Sequence, residues 1–519
     1  MKKKIILLLI LTLLITITSC TTEQQEDETP STNICDIHMD DDANDICDIC
    51  GYILVEHDYS VDGTYLLEEM TISQVNVEAS YYANYMQLEQ GKVEWYKTTI
   101  SGAIIDDATY EKEDDKVTIT LKGIPYEFSY DGSNKSLTFE GTMNKKKVMM
   151  RYIYMEDYNK DTTKGEVDFE GQLFGDDINE NFYNYCPTIL MEGNNTMHIW
   201  YCSNEISGNV TDYVAYRKGT LHADGKWTFS AKVLVLGPGK EGDWDSRHAC
   251  DPSVVKGKFK YNGTDYNYLM AYLGCYTSDS SCNEVGIAVS QKPEGPWIKI
   301  NELNPIANYY DSTEFGSDGG KFWGYGQPSL VSVDKEGKVL LFYTKGIKLG
   351  TYTYCEKWDF SDLNNPIKLA ENKIGDGGAI EILNNADFAY DPVNKRIYVI
   401  KEDHINGGWY PNNGGVNWIS GSNSLFYTSM NESDKEIGDT LFKNHSWAKV
   451  ATIGKEATGF DRVHNSGIVT DEYGWIMDYS NISIVYTMSM LSTDFPDWNK
   501  GGQWPSLHTY RLHGFNISL

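Results

Sequence analysis

Cys186-Pro187-Thr188-Ile189-Leu190, Asp251-Pro252-Ser253-Val254-Val255 and Gln327-Pro328-Ser329-Leu330-Val331 are three versions of one phrase. Each is a polar residue, then Pro, a hydroxyl residue and an apolar pair. A turn and a second apolar, Tyr-containing run follow each: Met197-His198-Ile199-Trp200-Tyr201, Tyr268-Leu269-Met270-Ala271-Tyr272 and Val339-Leu340-Leu341-Phe342-Tyr343. Two looser versions complete the set. Asp387-Phe388-Ala389-Tyr390 pairs with Ile397-Tyr398-Val399-Ile400, and His464-Asn465-Ser466-Gly467-Ile468 precedes a strand beyond Tyr473-Gly474. The starts recur every 60 to 77 residues, enough for a four-stranded sheet with its loops. A repeat of this period outranks other signals, because each unit must bury its faces against its neighbours. Five such sheets set radially make a β-propeller, which the spacing predicts over 176–519.

Working outward, composition agrees with an all-β chain. Among 519 residues there are 37 Tyr, 13 Trp and 46 Gly. Aromatic residues favour strands, and long helical periodicity is scarce. Residues 62–155 carry alternating runs such as Lys116-Val117-Thr118-Ile119-Thr120-Leu121 with turns at Asp131-Gly132 and Asn144-Lys145. They read as a small antiparallel β-meander or lipocalin-like barrel.

The N-terminus carries three further pieces. Met1 is followed by Lys2, Lys3 and Lys4, an apolar run from Ile5 to Leu14 broken at Thr12, and Ile17-Thr18-Ser19-Cys20. A basic start, a short apolar core and small residues before a cleavage point predict a secretory signal over 1–20. Its end resembles a lipobox, implying lipidation of Cys20 and export with a lipid anchor in the cell membrane, facing outward. Residues 21–34 are polar and acidic, suiting a tether. In 35–51, Cys35-x2-His38 and Cys47-x2-Cys50 offer four soft ligands for a structural zinc. The intervening Asp40, Asp41, Asp42, Asn44 and Asp45 suit calcium instead; a disulfide or a plain spacer is the remaining reading.

The net charge of −31 and pI near 4.6 argue against nucleic acid or anionic lipid as partners, leaving the lipid anchor as the expected membrane link. Cys275 and Cys282 are close enough in sequence to bridge one loop, or to stay as buried thiols.

Propeller topology brings the first strand of every blade to one mouth of the central channel. Cys186, Asp251, Gln327, Asp387 and His464 are therefore expected to ring one funnel. The second-to-third-strand connections return to that face, bringing Glu205, Asp212, the Cys275–Glu284 loop, Lys345, Glu402, Asp403 and His404. The loop Asp243-Trp244-Asp245-Ser246-Arg247-His248 ends there too. Carboxylates accept sugar hydroxyls and aromatic faces stack on sugar C–H surfaces, so carbohydrate is the expected partner.

Asp251-Pro252-Ser253-Val254-Val255, together with Val285-Gly286-Ile287-Ala288-Val289-Ser290 and Glu294-Gly295-Pro296-Trp297, resembles the blades of glycoside hydrolase family 43 and its five-bladed relatives. The resemblance implies O-glycosyl hydrolysis with inversion, without a catalytic cofactor. It also implies an acidic residue opening each of the first three blades as base, tuning acid and general acid. Asp251 falls at the second of these. Cys186 and Gln327 fall at the other two, where neither does acid–base work, so the chemistry has either moved or been lost. If moved, the candidates are Asp251 and Asp387 with Glu284 or Glu402, and Cys186, Gln327, Trp244, His248, His404 and His464 line the substrate, the three histidines also being able to act as acid or base near neutral pH. His464 also suits an ion or water in the channel. If lost, the chain is a carbohydrate-binding lipoprotein with a degenerate site.

Overall fold

The computed structural model describes residues 58–76, 85–96, 105–143, 145–154, 166–167, 171–174, 182–277, 281–309, 322–347, 350–374, 385–403, 420–460, 462–489 and 507–519. Cys20, the Cys35, His38, Cys47 and Cys50 set, and His404 lie outside them.

The first body is a meander of Gly63–Ile72, Tyr85–Glu89, Lys92–Tyr96, Ile105–Glu113, Lys116–Leu121, Ile124–Asp131, Ser136–Met143 and Lys146–Tyr154. Its last strand pairs antiparallel with its first, from Tyr65↔Tyr154 to Ile72↔Val148, closing an eight-stranded barrel. Alternation decides what is inside: in Lys116–Leu121, Val117 and Ile119 are buried while their neighbours face out. Met86, Leu88, Phe128 and Leu137 join them in the core, so side chains fill the interior of this small barrel.

Five antiparallel sheets follow, four-stranded in blades two to five and extended in blade one by Val233–Leu236 and Glu166–Val167. Their innermost strands are Asn184–Glu192, His248–Tyr261, Gly324–Ser332, Asp387–Asp391 and Arg462–Asp471. Second strands are largely buried on both faces because blades stack on each other, as in Thr196–Asn204, where every residue after Thr196 is buried, His198, Ser203 and Asn204 included; Glu284–Ser290, a third strand, is buried at every position. The outermost Ile367–Lys373 faces solvent at Ile367, Lys368 and Leu369. Between the last blade and the first, the innermost strands pair in parallel at Ile189↔Val469, Leu190↔Thr470 and Met191↔Asp471.

The outermost strand of the fifth blade is Gly171–Phe174, paired with Arg511–Ser518. It precedes the expected boundary at 176: the ring is locked by chain from before the first blade. Leu173 and Phe174 pack with Val485 and Leu512 of that blade and with Ile189 and Ile199 of the first. The barrel adds Leu66 and Ile153 to a cluster containing Trp200, Tyr272 and Trp297 of the propeller.

Candidate functional site

One backbone feature organises the channel mouth. Cys186, Asp251, Gln327, Asn385 and Asn465 all have positive φ, between 44° and 51°. In blades one, two, three and five, the ladder shifts register there, between Tyr185 and Thr188, Cys250 and Ser253, Gly326 and Ser329, and His464 and Gly467. This is a β-bulge repeated around the ring, and a bulge re-aims a side chain. The residues that open blades four and five are therefore Asn385 and Asn465, not the expected Asp387 and His464. Asn tolerates the left-handed region that this position demands, a signal the Pro-based repeat concealed.

Asp387 stands two residues further along, with Thr188, Ser253 and Ser329. This position ties each blade to the next. Thr188 Oγ1 donates to Pro252 O at 2.6 Å, Leu330 N donates to Ser253 Oγ at 2.8 Å, and Phe388 N donates to Ser329 Oγ at 3.0 Å. Asp387 accepts from Ser329 Oγ and from Ile468 N, both at 2.7 Å. At the fifth blade the position is Gly467, where a Cβ would lie 2.2 Å from Pro187 O; only glycine lets the ring close. Burial pushes the Asp387 carboxyl up to about 6 against those hydrogen bonds.

His464 belongs one residue before the bulge, with Tyr185, Cys250 and Gly326. Opposite this position on the second strands stand Cys202, Leu273, Thr344 and Thr487, with Glu402 at the same register in blade four. Across the junctions of blades one and two, two and three, and four and five, the two columns meet. Cys250 and Cys202 form a disulfide. At Gly326 a Cβ would come 2.3 Å from Leu273 Cδ1, so glycine and leucine pack there. Glu402 Oε1 accepts from Asn465 N at 3.0 Å, and its charge acts on His464. His464 is fully buried and burial takes it down to about 4; its Nδ1 meets Asn465 Oδ1 at 2.7 Å, and Nε2 has no partner among the described residues. Gln327 Oε1 accepts from Asn385 N at 2.8 Å. Cys275 and Cys282 stay as thiols.

Asp251, Cys186, Glu402, Asp387 and Asp212 thus share one electrostatic neighbourhood. Asp251 is 6% exposed; burial pushes its carboxyl up to about 7, opposed by the Cys186 hydrogen bond and reinforced by the charges of Asp212 and Glu402. The Cys186 thiol is driven well above its ordinary value by burial and then by Asp251. Beside them, Asp212 accepts from Tyr183 O–H at 2.6 Å and pairs with His248 Nδ1 at 2.7 Å. Burial raises Asp212, yet His248 and these hydrogen bonds hold it below the usual carboxylate range. His248 is therefore part of a structural dyad next to Asp251.

Glu284 and Trp244 are brought together elsewhere on this face, in a cavity of about 430 Å³ lined also by Asp243, Tyr276, Pro305 and Asn308. Trp244 lies flat where Gly274 and Gly286 leave room; a Cβ on either would sit 2.4 or 2.6 Å from the indole. Its loop is pinned by the next residue, Asp245, buried against Lys299 Nζ at 2.6 Å and accepting from Tyr272 O–H at 3.0 Å. Glu284 Oε1 accepts from Tyr309 N at 2.9 Å. The candidates therefore divide between the channel mouth, with Asp251, Asp387, Glu402, Cys186, Gln327 and His464, and this flanking cavity. Among the described residues, the group with metal-ligand proximity is Cys186, Cys202 and Asp251, and the disulfide already occupies Cys202.

Fold and site together define an all-β protein whose propeller channel carries buried carboxylates. By sequence no protein family matches, and no curated protein does. By structure the chain is similar to glycoside hydrolases. An α-L-arabinofuranosidase of Podospora anserina, solved with cellotriose, is 12% identical over 67% of this chain and 96% of its own, at TM-score 0.40. A family 117 glycoside hydrolase of Zobellia galactanivorans is 11% identical over 69% and 91%, at 0.40. An exo-β-1,3-galactanase of Phanerochaete chrysosporium, solved with β-1,3-galactotriose, is 12% identical over 68% and 65%, at 0.40.

Proposed function

We propose that the chain is a glycoside hydrolase acting on polysaccharide or oligosaccharide bonds, held at the outer cell surface by a lipid on Cys20. The observation that carries this is Asp251: a carboxyl whose ordinary value is raised to about 7, at a channel mouth shared with Glu402 and Asp212. Glycosidic cleavage needs one carboxyl that still holds a proton near neutrality, to give to the leaving oxygen, and a second that activates the attack. Asp251 takes the first role and Glu402 the second. Asp387 is a positioning residue, engaged by Ser329 and Ile468. The flanking cavity suits a further sugar unit, stacked on Trp244 with Glu284 and Asp243 accepting its hydroxyls.

Arabinan, xylan, arabinogalactan and fructan oligosaccharides, incubated with the purified chain and with its Asp251→Asn variant, test this. Asparagine keeps the left-handed backbone, so the variant isolates the proton. The expected result is product from at least one sugar and a loss of roughly 100-fold or more in the variant. Product formation unchanged in Asp251→Asn overturns the assignment. One observation favours a second reading, a carbohydrate-binding protein without catalysis: Cys186 and Gln327 stand at two of the five positive-φ positions, and Gln327 is engaged in joining blades. Binding without product across the panel would select it.

A further inference from the structure

The bulge that presents Asp251 also gathers three sulfurs around it. Cys186, on the first strand of blade one, and Cys202, on the second strand of that blade, have Sγ atoms within 4.8 Å of each other and of an Asp251 carboxylate oxygen. Cys202 is bonded to Cys250, on the first strand of blade two. Asp251 Oδ1 is 3.4 Å from Cys202 Sγ and 3.3 Å from Cys250 Sγ, and Asp251 accepts a hydrogen bond from the Cys186 thiol. One carboxylate thus touches an attacking thiol, the sulfur it would attack and the sulfur that would leave. The other three cysteines of the propeller, Cys275, Cys282 and Cys355, are buried as thiols and belong to no such group among the described residues.

We propose that Cys186, Cys202 and Cys250 form a thiol–disulfide exchange site, in which the crosslink moves from Cys202–Cys250, between blades one and two, to Cys186–Cys202, within blade one. Asp251 removes the Cys186 proton. The resulting thiolate attacks Cys202 Sγ, the Cys186–Cys202 bond forms as the Cys202–Cys250 bond breaks, and Cys250 leaves with the electron pair and takes the proton from Asp251. Atoms and electrons balance within the site, so no outside oxidant or reductant takes part. Burial of the thiol makes its thiolate scarce, which is why the step needs the adjacent carboxylate. Exchange unlocks a blade junction at the channel mouth and takes the Cys186 donor away from Asp251. It does not depend on whether the propeller cleaves sugar.

The test uses the full chain, purified without reductant. N-ethylmaleimide is added at mildly alkaline pH for timed intervals, and peptides are mapped by mass spectrometry without reduction. Label is expected on Cys186 and, increasingly, on Cys250, the latter accompanied by a Cys186–Cys202 crosslinked peptide. In Cys186→Ser, Cys250 should stay unlabelled; in Asp251→Asn, its labelling should slow by about 100-fold. Label confined to Cys186 with Cys202–Cys250 intact overturns the proposal, as does equal labelling of Cys250 in Cys186→Ser. Copurified zinc or copper with three reduced thiols would overturn it too. Should Cys186→Ser fail to fold, Cys250→Ser treated with glutathione disulfide decides. A Cys186–Cys202 bond is expected, and glutathione retained on Cys202 beside an alkylatable Cys186 refutes exchange.

Discussion

A carboxyl placed where water is scarce keeps its proton longer, and at Asp251 and Asp387 that single effect has two readable consequences. Unfolded, both titrate near the ordinary 3.8; folded, they titrate near 7 and 6. The unfolded chain therefore loses these protons first as pH rises. Their contribution to folding is intact below about 4 and is lost as pH climbs through 6 and 7. Asp251→Asn and Asp387→Asn should each be more favourable to stability, relative to the native chain, at neutral pH than at mildly acidic pH. Urea unfolding midpoints at the two pH values measure this, and a difference that does not change with pH would contradict the burial argument. His464 works the other way: its folded value near 4 lies below the ordinary 6.5, so its contribution is lost as pH falls through that window. Activity that depends on protonated Asp251 should decline above about pH 7, seen in the kcat/KM profile. Asp251 was legible in the sequence because Pro252 follows it in an alignable phrase. Asn385 and Asn465 were not, because the property they share with it is a backbone angle rather than a side chain.

At the scale of elements, what holds the ring is the joint between neighbouring innermost strands. The hydroxyls of Thr188, Ser253 and Ser329 and the carboxylate of Asp387 make four joints, and the bare backbone of Gly467 makes the fifth. Gly467→Ala drives a methyl into Pro187 O, a backbone atom that cannot step aside. A loss of about 1–3 kcal/mol is expected for such overpacking, read from chemical denaturation. Ser329→Ala leaves Phe388 N and Asp387 short of a partner in a buried place and should cost about 1–3 kcal/mol. Glu402 belongs to the same kind of joint. Topology brought the end of the second strand to the right face, but its partner, the amide of Asn465 in the next blade, is set by the junction.

For the whole molecule, closure is the decisive event. Because the fifth blade is completed by Gly171–Phe174, a core substitution there acts on a contact between the start and the finish of the propeller: Leu173→Ala, at 1% exposed, should cost about 2–5 kcal/mol and lower the Tm of the propeller as a unit. A calorimetric trace showing only local fraying would contradict this. The sequence by itself determined the all-β class, the five blades and the β-rich meander before them, whose closure into a barrel the pairing of its first and last strands decided. All of these follow from short-range regularities: apolar alternation, turn residues, and a phrase recurring at blade length. It also placed Asp251, Glu402 and Cys186 on one face, since strand direction alone does that. Only the tertiary structure decided the bulge register that displaces Asp387 and His464 from the opening positions, the bonding of Cys202 to Cys250, the separation of Glu284 and Trp244 from the channel, and the strand that closes the ring. Each of these is a contact between residues far apart in the chain, set by how twisted sheets pack around an axis, and no local periodicity encodes it.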